Sequence, residues 1–200
     1  MTETTTKTGS RVKKLLIASG VLILFLLIVP PLLQPVGLEP TKTSAASIRV
    51  YGANVRGLRG YFAIHTWIAT RSAVEEHYQI HQVIGWRLRR TGTALTYHEG
   101  DPDRPWFGND AILLHELTGA DAETAIPGVR AAIKSYPFAK NYRMFPGPNS
   151  NSFTEWVAQE VPELGLQLPV KAIGRLWMRN YYPTHSAELA DRVISLIPGS

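Results

Sequence analysis

The sequence predicts a single α+β domain, with an antiparallel sheet first and helices later, behind one N-terminal transmembrane helix. Three observations support this fold class. An uncharged apolar run begins at Leu15, β-branched and aromatic residues alternate through the first half of the remainder, and a helical apolar stripe follows Asn149. The chain has 200 residues and no cysteine, which fits one ordinary domain plus an appendage. It excludes disulfides, thiolate zinc sites, iron–sulfur clusters and a thiol nucleophile.

The apolar run is long enough to cross a membrane. Residues 15–36 carry no charge and supply the roughly 20 apolar residues that a spanning helix needs. Pro30 and Pro31 are expected to kink or end this helix. The predicted organisation is a basic tail (1–14), a transmembrane helix (15–36), a linker (37–46), an α+β domain (47–185) and a C-terminal helix or tail (186–200).

Charge around this run predicts its orientation. The basic residues Lys7, Arg11, Lys13 and Lys14 precede it, which places the N-terminus in the cytoplasm and the domain outside, on the periplasmic face of the cytoplasmic membrane. The alternative is a cleaved signal peptide, although the nearest small-residue cluster (44–46) lies well past the apolar run. The expected partner of the helix is membrane lipid. Nucleic acid is not expected as a partner, because the domain carries no concentrated Lys/Arg run.

The first half of the domain reads as strands. Strands are expected over 47–53 and over 60–70, and one or two more over 74–88, where Gly85 marks a bulge or a close approach. Another strand is expected to begin at 91–93 and to run to His98. A polar loop over 99–109 follows. In the second strand, Phe62, Ile64, Thr66 and Ile68 share one face, and His65 shares the other with Trp67.

The second half turns helical. The segment 111–117 is ambiguous, a helix is expected over 121–135 with its second part beginning at Pro127, and 142–145 is expected to be a short strand. The helix over 149–161 is well marked, because Phe153, Trp156, Val157 and Val161 form an apolar stripe and Pro162 ends it. A last amphipathic helix is expected over 186–197.

Two segments carry candidate chemistry, the strand around His65 and the helix entrance at Ser150. A helix N-terminus presents unpaired N–H groups and a partial positive charge, which suit an oxyanion. We therefore predict Ser150 as nucleophile and His65 as general base, with Asn149 or Asn151 as side-chain donors to the oxyanion. A third residue is expected to orient His65, and the sequence leaves His81 and Gln82 open for this role.

The same segment also has a purely structural interpretation. Asn149, Ser150, Asn151 and Ser152 are all favoured N-cap residues, and Ser152-x-x-Glu155 fits a capping box. No cofactor or metal is predicted, since the pair His77 and His81 falls in a strand and residues 98–103 read as a polar turn. Arg104, Trp106 and Asn109 are candidate cleft residues.

Two resemblances add to this interpretation. HTWIA (65–69), IGW (84–86), RPWFGN (104–109), PGPNSNSF (146–153) and LPVKAIG (168–174) resemble segments of the bacterial DUF3750-type family, which has no established activity. A strand His followed by Asn149-Ser150-Asn151 is similar to the permuted papain-like (NlpC- and PPPDE-type) domains, where Asn-Cys-Asn begins a helix. This second resemblance implies a permuted papain-like fold with Ser150 in place of the cysteine. Because a serine hydroxyl is not held ionised as a thiol is, it needs a neutral His65 to take its proton.

The sequence therefore predicts a single-pass membrane protein with a candidate Ser/His site for acyl transfer or amide hydrolysis. Cell-wall peptide or a lipid acyl group is the substrate that such a location would reach. The alternative function is a catalytically silent binding or scaffold domain at the membrane surface.

Overall fold

The computed structural model describes the backbone of residues 4–182 and the side chains of residues 11–182. The chain divides into two units, residues 1–34 and residues 35–200. The helix predicted over 186–197 lies outside the described residues.

The first unit is dominated by one apolar helix. Helix α1 (Thr4–Leu32) includes Pro30 and Pro31. It ends at Leu32, four residues before the predicted end at residue 36. Its segment Arg11–Leu32 has a mean hydropathy of 2.7 and is long and apolar enough to cross a membrane. A membrane anchor and a signal sequence share these properties.

The second unit is an α+β domain built on one sheet. Its strands are β1 (Ser47–Asn54), β2 (Ile64–Arg71), β3 (Tyr78–Val83), β4 (Leu95–Gly100) and β5 (Ile112–Thr118). They are antiparallel in the order β4-β3-β2-β1-β5. The predicted antiparallel sheet is confirmed, and the ambiguous segment 111–117 forms the edge strand β5.

Helices follow or interrupt the strands. They are α2 (Gly85–Thr91), α3 (Gly119–Lys134) and α4 (Ser150–Glu160), with short 3₁₀ turns at Gly57–Tyr61 and Pro162–Leu164, and residues 175–182 are also helical. The apolar stripe predicted for α4 is confirmed, because all four of its members are buried.

Three local predictions were wrong. Residues 85–88 are helical instead of extended, since α2 begins at Gly85 and ends where Gly92 adopts a left-handed conformation. Gly85 does mark a close approach, because a Cβ there would lie 2.5 Å from the Tyr142 ring. Residues 142–145 form no strand, and residues 60–61, predicted as the start of the second strand, belong to the 3₁₀ turn Gly57–Tyr61 before β2.

Helix α3 is continuous, whereas the sequence predicted a second part starting at Pro127. Pro127 lies inside the helix and its ring is exposed. A proline removes one backbone hydrogen bond, and on the exposed side the freed carbonyl can bind water instead. The buried face of α3, centred on Ile126 and Val129, continues past it unbroken.

The two faces of the sheet carry different hydrophobic clusters. Ile64 and Ile68 of β2 belong to the larger cluster, which includes the buried faces of α3 and α4. Trp67 and Ala69 belong to a smaller cluster on the opposite face, with Trp106 packed against it. Strand β2 is therefore buried on both faces, and α4 lies on the first of them.

Candidate active site

Helix α4 begins at Ser150 because Asn149 caps it. Asn149 Oδ1 accepts hydrogen bonds from the backbone N–H groups of Asn151 (2.9 Å) and Ser152 (3.2 Å), which satisfies two of the amides that a helix start leaves unpaired. The capping box suggested for Ser152 and Glu155 does not form. Ser152 Oγ donates to the Gly174 carbonyl (2.9 Å), and Glu155 forms an ion pair with Arg179 (2.6 Å), which lies outside α4.

Gly174 is required for this cap. Its φ of +112° is in the region that favours glycine, and a Cβ there would collide with the Asn149 side-chain amide. The cap and the segment around residue 174 are therefore packed directly on each other.

The asparagine side chains hold the helix entrance in place. Asn149 Nδ2 donates to the carbonyls of Met144 (2.9 Å) and Ile173 (3.0 Å). Asn151 Nδ2 donates to the carbonyls of Ile64 (3.0 Å) and Ile173 (2.8 Å). An amide group has two N–H donors, and both amides have their donors engaged in these bonds. The two side chains predicted as oxyanion donors, Asn149 and Asn151, therefore donate to protein carbonyls in this structure.

The same bonds connect the helix to the strand that carries His65. Asn151 binds the carbonyl of the preceding residue, Ile64, and its Oδ1 accepts from Thr66 Oγ1 (2.9 Å). Thr66 Oγ1 also lies 2.9 Å from Thr154 Oγ1. His65 is therefore flanked on both sides by residues bonded to α4.

His65 is buried and held on two sides. Its side chain is 6% exposed, and its ring stacks on Trp106 with centroids 3.9 Å apart. Nε2 lies 2.8 Å from Gln82 Oε1. Because a carbonyl oxygen accepts, Nε2 carries the proton and Nδ1 keeps the lone pair of the neutral ring.

Burial lowers the pKa of His65 to about 4, and the hydrogen bond to Gln82 opposes this shift only in part. His65 is therefore neutral at physiological pH. Neutrality is the state that a general base for a serine hydroxyl requires.

Gln82, not His81, contacts His65. His81 pairs with Ile68 across β2 and β3, and paired residues point to the same face of a sheet. Ile68 and His65 are three residues apart on β2, so His81 lies on the opposite face from His65. There its ring packs near Tyr97, with centroids 5.2 Å apart, and its buried Nε2 has no hydrogen-bond partner among the described residues.

One pocket brings the remaining candidates together. It has a volume of about 340 Å³ and is lined by His65, Ser150, Asn149 and Asn151. Its other walls are mostly apolar and aromatic. Of the candidate cleft residues, Trp106 lines this pocket, whereas Arg104 lines a smaller neighbouring one of about 170 Å³.

Sequence reasoning missed several wall residues. Phe62, Trp86, Phe107 and Tyr142 line the pocket, and each is contributed by a segment that the sequence assigned to a strand or a loop. The one usable signal was at Gly85, whose predicted close approach is to Tyr142.

The described residues contain no group of three or more His, Asp or Glu side chains placed to hold a metal ion. The pocket lining includes a hydroxyl (Ser150), an imidazole (His65) and the guanidinium groups of Arg56 and Arg59. A hydroxyl and an imidazole in one pocket can serve acyl transfer through a serine ester.

Comparison with known proteins identifies the family of the chain. No curated protein and no solved structure shows significant similarity to it. A family model described as a protein of unknown function (DUF3750) matches residues 45–177, about two thirds of the chain and every wall of the pocket. The chain therefore belongs to the DUF3750 family.

Proposed function

We propose that this protein is a membrane-anchored hydrolase or acyltransferase that uses Ser150 as its nucleophile and His65 as its general base. The observation that carries this proposal is the shared pocket: both residues line it, and Nε2 of the imidazole lies 2.8 Å from Gln82 Oε1. The substrate class is an acyl ester or amide, from a lipid or from cell-wall peptide.

The proposed reaction has two halves. Ser150 Oγ attacks the acyl carbonyl carbon while its proton passes to Nδ1 of His65, and the carbonyl oxygen becomes an oxyanion. The intermediate collapses, the bond to the leaving alcohol or amine breaks, and that group takes the proton from His65. Water or an acceptor alcohol or amine then attacks the Ser150 ester with the same histidine as base, which restores the hydroxyl.

Oxyanion stabilisation is assigned to the helix entrance. The amide N–H of Ser150 is the first of α4 and has no partner within the helix. The positive end of the helix dipole adds to its effect. The asparagine side chains keep these groups in place, and Gln82 acts as a positioning residue for His65.

A serine-reactive fluorophosphonate tests the proposal on the full chain. We expect covalent labelling that disappears in Ser150→Ala and in His65→Asn. Ser152→Ala is the matched control, because Ser152 lies two residues further along α4 and does not line the pocket. Labelling that survives in Ser150→Ala contradicts the proposed nucleophile.

The second candidate function is binding without catalysis. It is favoured by the low exposure of Ser150, which is 4%. The absence of fluorophosphonate labelling at every pH, in a chain that unfolds cooperatively, would contradict Ser150 as nucleophile and favour this alternative.

The anchor is proposed from the sequence and from helix α1. We infer that α1 stays attached and spans the cytoplasmic membrane, with the basic tail in the cytoplasm and the domain in the periplasm. An intact-mass measurement on the membrane fraction tests this, since a mature N-terminus near residue 47 would show that α1 is a cleaved signal sequence.

A further inference from the structure

Large apolar side chains surround the pocket and remain exposed. Phe62, Trp86, Phe107, Met144 and Phe145 line it and are between 45% and 73% exposed. They come from separate segments that meet at the pocket, and the rings of Trp86 and Phe107 are in contact, with centroids 5.5 Å apart. Several large exposed apolar side chains around one pocket indicate a binding surface.

The aromatic walls of the pocket offer few hydrogen-bond partners to a peptide backbone. The two side-chain amides of the pocket, those of Asn149 and Asn151, donate to protein carbonyls. The part of a peptide that lies along the aromatic walls would leave its N–H and C=O groups without partners, which is costly. An aliphatic chain has no such groups and fills an apolar pocket without this cost.

One side of the pocket is positively charged. Arg56 and Arg59 line it, and neither forms an ion pair within the described residues. Of the described residues that line the pocket, none is Asp or Glu. An arginine pair without a carboxylate suits a phosphate group.

We propose that the pocket binds one acyl chain of an anionic phospholipid, with the lipid phosphate at Arg56 and Arg59. The exposed aromatic side chains then enter the boundary between headgroups and acyl chains, where such residues are favoured. The delivery of the chain's ester carbonyl to Ser150 rests on the proposed function, whereas occupancy of the pocket by the chain does not.

Photo-crosslinking on the full chain tests this assignment. The protein is reconstituted in phosphatidylcholine nanodiscs that contain a phosphatidylglycerol with a diazirine at the end of one acyl chain. After irradiation, we expect crosslinks on peptides that contain Phe62, Phe107 or Phe145, in addition to crosslinks on α1. The α1 crosslinks serve as an internal standard for lipid contact.

Variants separate chain binding from headgroup binding. Phe145→Ser should lower the pocket crosslinks about tenfold relative to α1, whereas Val74→Ser, at an exposed position that does not line the pocket, should not. Arg56→Gln with Arg59→Gln should lower them about fivefold per arginine with the phosphatidylglycerol probe, but not with a phosphatidylcholine probe. The matched control is Arg89→Gln with Arg90→Gln on α2, which also lies outside the pocket lining.

The outcomes are distinct. Crosslinks confined to α1, or reduced equally by Phe145→Ser and Val74→Ser, overturn the proposal. Loss of the pocket crosslinks when a soluble apolar peptide is added at equal concentration identifies a peptide pocket and also overturns it. Ser150→Ala should crosslink fully, so crosslinking without fluorophosphonate labelling refutes the catalytic function alone, and labelling without crosslinking refutes the lipid alone.

Discussion

The two faces of the sheet are closed in different ways. On one face, α3 and α4 cover the larger hydrophobic cluster, and the entrance of α4 is bonded to β2 through Asn151. On the other face, the smaller cluster has Trp106 and Ala111 packed against it. There the loop after β4 is attached by the bond from Trp67 Nε1 to the Pro102 carbonyl (2.7 Å). The first face is covered by helices, and the second supplies the aromatic wall beside His65.

Because the two faces are closed differently, we expect the same type of substitution to lower the free energy of unfolding by different amounts on the two faces. The largest effect is expected for Trp156→Ala on the helix face, because Trp156 is buried and its Nε1 donates to the Ala132 carbonyl (2.9 Å). We expect a loss of about 3–5 kcal/mol in the free energy of unfolding. Trp86→Ala removes the same side chain where it is 50% exposed, and should cost about 1 kcal/mol or less. Urea unfolding of both variants measures the difference, and equal losses would contradict the contrast.

The next largest effect on the free energy of unfolding is expected for the substitution of a buried asparagine. Asn151→Ala removes the side-chain donor to the Ile64 carbonyl, one of the two donors to the Ile173 carbonyl and the acceptor of Thr66 Oγ1, and should cost about 3 kcal/mol. Asn109→Ala removes an amide from the loop, where its only side-chain hydrogen bond in the described residues is a long one of 3.4 Å to Trp106. It should cost about 0.5 kcal/mol or less. Denaturant midpoints give both values, and a stable Asn151→Ala would show that α4 is held by other contacts.

Histidine pKa values give a third comparison, of intermediate size. Burial lowers the pKa of His65 to about 4, whereas its value in the unfolded chain is about 6.5. As the pH falls below 6.5, the unfolded chain binds a proton at this position and the folded chain does not until pH approaches 4. Stability is therefore lost as pH falls through this window.

For His65 alone, we expect a loss of about 2 kcal/mol between pH 7 and pH 5. His81 on the helix face also has its pKa lowered to about 4, first by burial and then by the charge of Arg130. Replacement of either histidine by Gln should therefore flatten the pH dependence of the unfolding free energy. An unchanged slope in His65→Gln would contradict the burial of its imidazole.

The smallest effect is expected on labelling, for the residue that orients the imidazole. Gln82→Met removes the acceptor of the His65 Nε2–H and should slow fluorophosphonate labelling about tenfold. Because the N–H that loses its acceptor is buried, the free energy of unfolding should also fall, by about 1–3 kcal/mol. Gln79→Met on the same strand, where Gln79 donates to Glu75 (2.8 Å), should leave labelling unchanged. If Gln82 serves packing alone, the unfolding midpoint falls and the labelling rate of the folded fraction does not.

Periodicity was sufficient for β1 and α4, because each keeps one hydrophobic pattern over at least eight residues. It failed for α2, a seven-residue helix without a side-chain cap, and for residues 142–145, whose aromatic side chains line the pocket instead of a strand. Short segments take their structure from what they pack against, and the local sequence does not contain that information.

In the candidate site, too, some features follow from the local sequence and others depend on distant contacts. The helix entrance at Ser150 follows from local residues, and the position of the cap depends on a distant contact, because Gly174 packs against Asn149. The choice between His81 and Gln82 depends on the register between β2 and β3. A one-residue change of register exchanges the faces of a strand, so this choice required the structure.

The bonds from Asn151 and Thr66 to either side of His65 have a consequence for protein engineering. Any tilt or translation of α4 pulls the backbone of His65 along with it, since Ile64 and Thr66 are both attached to that helix. The start of α4 and the backbone around His65 are thus expected to move together. Insertions, tags or graft sites elsewhere in the domain are then expected to leave the position of Ser150 relative to β2 unchanged.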